Sequence, residues 1–286
     1  MSEAFLVLTI LLSSGRNIVS KGMTQNLCGK KDFFFGQMLL FFFGGLIILV
    51  SAPQKALFVP VEVFPYSIVY GLLLFLAQGL YTLALKTGNT SVCALVYSFG
   101  FLIPTVAGSI FWSEPFGINQ YIGLALAIAT LFLTTSTEKR EGVGKSYLLP
   151  LFGAALSSGG LGVMQKVQQS AAISDRTHGF LFYAFVVAFL ISVVGFLTQR
   201  GTGGKPQKSF SVRSATAGIC FGGANYLNTV LAGKMASSIF FPVQNIGTLT
   251  LSVLLSVLIF KEKISRRKAA GLILGVVTIL VLKIKL

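Results

Sequence analysis

Residues 84–133 read ALKTGNTSVCALVYSFGFLIPTVAGSIFWSEPFGINQYIGLALAIATLFL, and only Lys86 and Glu114 among them are charged. Two uncharged runs, 87–113 and 115–137, flank Glu114. About 20 helical residues rise the roughly 30 Å of a bilayer's hydrocarbon core, so each run is long enough to span it. In lipid only a helix or a closed barrel satisfies its own backbone. A barrel needs alternating segments of about ten residues, and these runs do not alternate. Both therefore read as transmembrane helices.

The same reading extends outward. Six further charge-free runs reach spanning length: 33–54, 63–85, 146–165, 179–199, 214–233 and 235–260. Two weaker spans complete the set. The first runs from about Ala4 to Gly22 across Arg16, and the last covers 269–282 between Arg266-Arg267-Lys268 and Lys283. Snorkelling Lys and Arg stems extend such short spans. The expectation is ten helices in an all-α transmembrane fold. Composition agrees: 54% of the 286 residues are hydrophobic, 11% are charged, and mean hydropathy is +0.81. A soluble domain carries about 25% charged residues. A soluble globular enzyme, a disordered chain and a secreted disulfide scaffold are excluded. Ten helices use about 200 residues, so the loops must be short.

The chain also repeats itself. Leu12-Ser13-Ser14-Gly15 recurs as Leu156-Ser157-Ser158-Gly159. Lys21 pairs with Lys166, Phe33 with Phe180, Gly71 with Gly218, Glu114 with Glu262, Gly123 with Gly271 and Thr130 with Thr278. The offset drifts only from 144 to 148. Five helices per copy is an odd number, so the second copy enters the membrane from the opposite side. The expected organisation is a first five-helix repeat over 1–137, a central linker over 138–145 and a second repeat over 146–286. Inverted-topology repeats of this kind serve alternating access around a midplane site. A second polar stretch, Gln199 to Ser214, reads as a flexible loop.

The segment at the end of each half carries a family resemblance. Residues 84–133 are matched by residues 231–282, LAGKMASSIFFPVQNIGTLTLSVLLSVLIFKEKISRRKAAGLILGVVTILVL. A Glu after an apolar helix, a short loop and a Gly nine residues on, with Pro104 among small residues, resembles the EamA-type repeat of the drug/metabolite transporter superfamily. Here the marks are Glu114 with Gly123 and Glu262 with Gly271. The resemblance implies a ten-helix carrier of small metabolites or drugs and names no substrate.

The net charge of +15 belongs to loops facing anionic lipid, not to nucleic-acid binding. Fourteen loop Lys and Arg fall on one side of the membrane and four on the other. The positive-inside rule then puts both termini outside, whereas relatives of the resembled family often keep both in the cytoplasm. Met1-Ser2-Glu3 lacks the positive start of a cleaved signal peptide, so the first run reads as a retained helix. The expected location is a multi-pass position in a bacterial cytoplasmic membrane. Cys28, Cys93, Cys220 and the single His178 have no metal-ligand spacing, and no cofactor motif occurs. His178, beside Asp175 and Arg176, reads as part of a solvated loop.

Polar groups within the spans are costly and mark candidate sites. Gln78 and Tyr81 share a helix face, and at offset 147 stand Asn225 and Asn228. Tyr97 is matched by Asn245, beside Gln244. Ser13, Arg16, Asn17 and Ser20 form one polar stripe in the first helix, and Arg16 is the only charge deep in a span. The candidate substrate-binding set is therefore Ser13, Arg16, Asn17, Gln78, Tyr81, Tyr97, Asn225, Asn228, Gln244 and Asn245. Arg16 either meets an anionic substrate or snorkels to a headgroup. The aromatic runs Phe33–Phe35 and Phe41–Phe43 read as lipid-facing or interfacial.

All eight acids fall in tails, loops or helix ends, so the mid-membrane carboxylate of the small multidrug pumps has no counterpart. The expected function is a secondary transporter of a small polar metabolite, such as an amino acid or organic acid. Alternatives are a multidrug exporter and a non-transporting scaffold or lipid-flippase subunit. A membrane enzyme is disfavoured: neither a DxD-type carboxylate cluster nor a GxxxxGK[ST] phosphate loop is present.

Overall fold

A computed structural model describes residues 2–20, 29–53, 56–88, 90–135, 145–199, 208–261 and 265–284. Among the described residues the chain is all-helical, with ten helices and a few 3-10 turns. They are α1 (Ser2–Ser20), α2 (Lys30–Ser51), α3 (Val63–Thr87), α4, α5 (Ile118–Thr134), α6 (Leu148–Ser170), α7 (Thr177–Thr198), α8 (Lys208–Lys234), α9 (Ser237–Phe260) and α10 (Arg266–Lys283). Helix α4 has two pieces, Thr90–Ser98 and Leu102–Trp112, joined by the 3-10 turn Phe99–Phe101. Seven helices, α1 to α4, α6, α7 and α9, are long and apolar enough to cross a membrane. Large apolar side chains such as Phe111, Leu149 and Ile273 face outward. Both features fit a multi-pass membrane protein.

Several helices overrun their charge-free cores. Helix α2 begins at Lys30, α8 at Lys208, and α6 continues through Lys166 to Ser170. Lysine is a good helix former whose ammonium can reach polar surroundings. A charge therefore limits the greasy part of a helix, not the helix. The Gln199–Ser214 loop is corrected accordingly: residues 208–214 are the first turns of α8, and 200–207 lie outside the described residues. Of the central linker, 138–144 lie outside the described residues, and Lys145 opens the 3-10 turn Lys145–Tyr147.

Helix α8 packs on α1 and α2, and α3 packs on α6 and α7. Helix α1 also meets α9, α6 meets α4, α2 meets α7, and α5 meets α10. Small residues permit the closest approaches. A Cβ on Gly222 would lie 2.3 Å from the Gly44 carbonyl oxygen, and one on Gly218 would lie 2.5 Å from that of Leu40. One cluster of buried side chains fills the α2–α3–α7–α8 region around Phe41, Tyr70, Phe180 and Phe185. The aromatic runs are thus only partly lipid-facing. Phe42 is exposed, but Phe41 is fully buried and Phe34 stacks on Phe75. With 3.6 residues per turn, three consecutive side chains cannot share one face.

The start of α1 and the end of α10 lie at one end of the bundle, the terminal end, where Lys283 Nζ meets Glu3 Oε1 at 3.0 Å. At that same end Glu114, just past α4, forms a buried ion pair with Lys166 of α6. Lys166 Nζ also donates to the Ala232 carbonyl at 3.0 Å. Glu114 Oε2 accepts from the Ser237 backbone N–H at 2.6 Å, capping the start of α9. Four helix ends are fastened by one carboxylate and one ammonium. Glu262, the other acid of the repeat, lies outside the described residues.

Candidate functional site

A cavity of about 640 Å³ lies among α1, α2, α3, α4, α6, α8 and α9. Its lining runs from Phe240 in the first turn of α9, past Pro104 and Gly162, to Ser20, Phe33, Leu85 and Phe210. The latter sit at the end opposite the termini: the last turns of α1 and α3, and the first of α2 and α8.

All ten residues singled out from the sequence line this cavity. The α1 stripe faces inward because Ser13, Arg16, Asn17 and Ser20 recur at helical spacing. Ser13 Oγ receives the Gln244 amide at 3.4 Å, and Asn17 donates to Ser252 Oγ at 3.1 Å. The Arg16 guanidinium does not snorkel. Its Nη2 donates to Gln78 Oε1 at 2.6 Å, and its central carbon lies 4.4 Å from the centre of the Phe221 ring. Arg16 Nε is buried without a partner. Tyr81 and Tyr97 pack against each other, ring centres 4.3 Å apart. Both phenols lie close enough to Arg16 to interact with its charge.

Asn225 and Asn228 are held by Tyr70 and Thr9, which lie outside the cavity lining. Asn225 Oδ1 accepts from Tyr70 at 2.7 Å, and the Tyr70 hydroxyl accepts from Gln165 at 2.8 Å. Asn225 Nδ2 donates to the Phe221 carbonyl at 2.8 Å. Asn228 Oδ1 accepts from Thr9 at 2.8 Å. Asn245 Oδ1 is buried without a partner.

Two participants, Gln37 and Tyr70, escaped the sequence analysis. Gln37 lines the cavity and its buried Oε1 has no partner. Its signal was present, a lone amide within an aromatic run. Gln165 also lines the cavity; its counterpart at offset 145 is Ser20, the end of the α1 stripe. Tyr70 has no polar counterpart at offset 147, where Ala217 stands, so offset matching could not reveal it. Aromatic walls come from Phe33, Phe101, Phe210, Phe221, Phe240 and Phe241. Phe33, expected at the lipid or interface, is therefore corrected to the cavity. His178 is likewise corrected. It lies in the first turn of α7 and packs against Tyr226, the rings tilted with centres 4.5 Å apart.

Among the described residues no group of His, Cys, Asp or Glu could hold a metal ion. The cavity offers hydrogen-bond donors and acceptors, aromatic faces and one cation. Such a lining can hydrogen-bond and stack on a small molecule.

No protein-family model matches the chain. An uncharacterised protein of Haemophilus influenzae is 26% identical over 180 residues, which is 60% of this chain and 58% of that protein's length. The chain thus aligns with little more than half of that relative. A crystal structure of another protein superposes with a TM-score of 0.80, covering 99% of this chain and 96% of the other at 18% identity. At that identity the likeness concerns the fold alone.

Proposed function

We propose that the chain is a secondary transporter that moves a small polar metabolite by alternating access. The observation that carries this reading is the central cavity, into which seven helices send polar side chains from both halves of the chain. The same reading makes residues 1–137 and 146–286 two inverted five-helix repeats joined by 138–145. Paired contacts support it. Gly71 faces Val187 and Gly218 faces Leu40, while Gly123 faces Leu282 and Gly271 faces Thr134. Within each set the two contacts exchange when residues are replaced by those 147 or 148 positions away. Thr130 and Thr278, themselves 148 apart, meet at 3.4 Å. Such reciprocal contacts are what a two-fold axis produces.

In this account the cavity reaches toward the end opposite the termini, which carries the excess of loop Lys and Arg. By the positive-inside rule that end is cytoplasmic, so the conformation is inward-facing. The Glu114–Lys166 pair closes the other end. The seven-helix cavity supports a carrier over a scaffold, since a scaffold has no need of a polar chamber. A single Arg and no lining acid argue against a cationic-drug exporter.

The test is efflux from proteoliposomes loaded with a mixture of labelled amino acids and organic acids. At least one compound should leave saturably faster than from protein-free vesicles. Efflux no faster than from protein-free vesicles for every compound would refute the carrier reading.

A further inference from the structure

The cavity has a sign. Among the described residues, Arg16 is the single charged side chain in its lining. Apolar walls weaken screening and focus the field of such a charge into the space beside it. The usual fate of a membrane arginine, an acidic neighbour or escape to the headgroups, does not apply here. Among the described residues no carboxylate pairs with it. The side chain turns inward onto Gln78 and Phe221. Of five guanidinium N–H donors, Gln78 accepts one and the Tyr97 hydroxyl lies within hydrogen-bonding reach of another, while Nε is buried with no partner.

Resting on the carrier reading above, we infer that the transported metabolite carries one carboxylate, which docks on Arg16, and no second anionic group. A guanidinium matches a carboxylate as a bidentate fork. One cation in a low-dielectric chamber compensates one negative charge. A dicarboxylate or phosphate monoester would bring a second charge with no partner, and a cationic compound would be repelled. The buried, unpartnered acceptors Gln37 Oε1 and Asn245 Oδ1 flank the same space. They suit a hydrogen-bond donor on the remainder of the molecule, as the ammonium of a zwitterion provides. The position 145 residues after Arg16 is Leu161, which also lines the cavity. The carboxylate therefore faces the α1 wall only, which fixes the orientation of the bound molecule.

The test is ligand-induced thermal stabilisation of the purified full chain in phosphatidylcholine nanodiscs. The probes are the proteinogenic amino acids and a series of simple monocarboxylates, each beside its primary amide, with matching dicarboxylates and phosphate monoesters. At least one monocarboxylate should stabilise at about tenfold lower concentration than its amide. Arg16→Gln should weaken that response about tenfold or more, and Arg16→Lys should retain part of it. Equal response to acid and amide, preference for the dianions, or no response to any carboxylate overturns the inference. So does an unchanged response in Arg16→Gln. Should that variant not fold, the acid–amide comparison on the unaltered chain decides alone. Stabilisation by added phosphatidylglycerol that abolishes the carboxylate response would assign Arg16 to lipid and overturn it as well. Carboxylate binding without efflux from proteoliposomes would refute the carrier reading and leave this inference standing. Arg16-independent efflux of a neutral compound would do the reverse.

Discussion

Removing Glu114 should cost far more than removing a surface acid. Its side chain is 13% exposed and that of its partner Lys166 is 11% exposed, so solvent screens the pair little. Glu114→Ala leaves Lys166 with the Ala232 carbonyl as its remaining acceptor, and the Ser237 N–H at the start of α9 loses its cap. Breaking a buried pair from one side costs about 3–5 kcal/mol, and loss of a cap adds about 1 kcal/mol. Lys166→Met is milder. It strands a carboxylate that still accepts from Ser237 at the positive end of α9, worth up to about 2 kcal/mol. Neutralising both partners as Glu114→Gln with Lys166→Met should recover most of the loss, because no buried charge then remains. The assay is unfolding in mixed micelles, followed by circular dichroism, for the two single variants and the double. The expected order is Glu114→Ala least stable, then Lys166→Met, with the double variant closest to the unaltered chain. Single variants within about 1 kcal/mol of the unaltered chain, about fivefold in the folding equilibrium, would refute the argument.

Gly222→Ala should destabilise by about 1–3 kcal/mol, since its Cβ would strike the Gly44 carbonyl oxygen and backbone cannot step aside. Gly29→Ala, with nothing within 4 Å of the new carbon, should be near neutral in the same unfolding assay. Gln78→Ala should lower transport in proteoliposomes with little change in melting, because its amide oxygen serves Arg16 at the cavity wall. Asn225→Ala should lower both, by about 1–3 kcal/mol in stability, since it removes the acceptor of the buried Tyr70 O–H. Lys208→Cys, exposed at the start of α8, should resist an impermeant thiol reagent in intact cells; ready labelling from outside would reverse the orientation.

The helices were legible because lipid enforces them. An uncharged run of 20 residues leaves the backbone one solution, and the weak spans containing Arg16 or bounded by Lys283 are helices too. Helix ends were less legible, since Lys30, Lys166 and Lys208 extend helices that charge alone would stop. Gln78, Tyr81, Tyr97, Asn225, Asn228 and Asn245 were found by asking which polar positions recur at a constant offset, Ser13, Arg16 and Asn17 by their helical spacing and Gln244 by its place beside Asn245, and all ten face one chamber. That rule is blind to asymmetry. Tyr70 and Gln37 have no matched partner and went unseen. The Glu114–Lys166 contact joins residues of different helices, and nothing local in the sequence specifies it.

The hydrogen bonds of α1 bear on how the protein is made. Thr9, Ser14 and Asn17 bond to Ala224, Asn228, Thr248 and Ser252, between 215 and 235 residues downstream. At about 5–20 residues per second those partners emerge roughly 10–50 s after α1. Until Gln78 emerges, 62 residues after Arg16, the helix stands in the bilayer with that guanidinium unaccompanied, and an arginine within a span resists insertion by up to about 2.5–3.5 kcal/mol. Helices α8 and α9, which complete the wall around it, are among the last to leave the ribosome. The first helix therefore waits for nearly the whole chain, and the central chamber is finished only after synthesis. A nascent chain halted before α3 would hold an unpartnered arginine in lipid, a plain mark for membrane quality control.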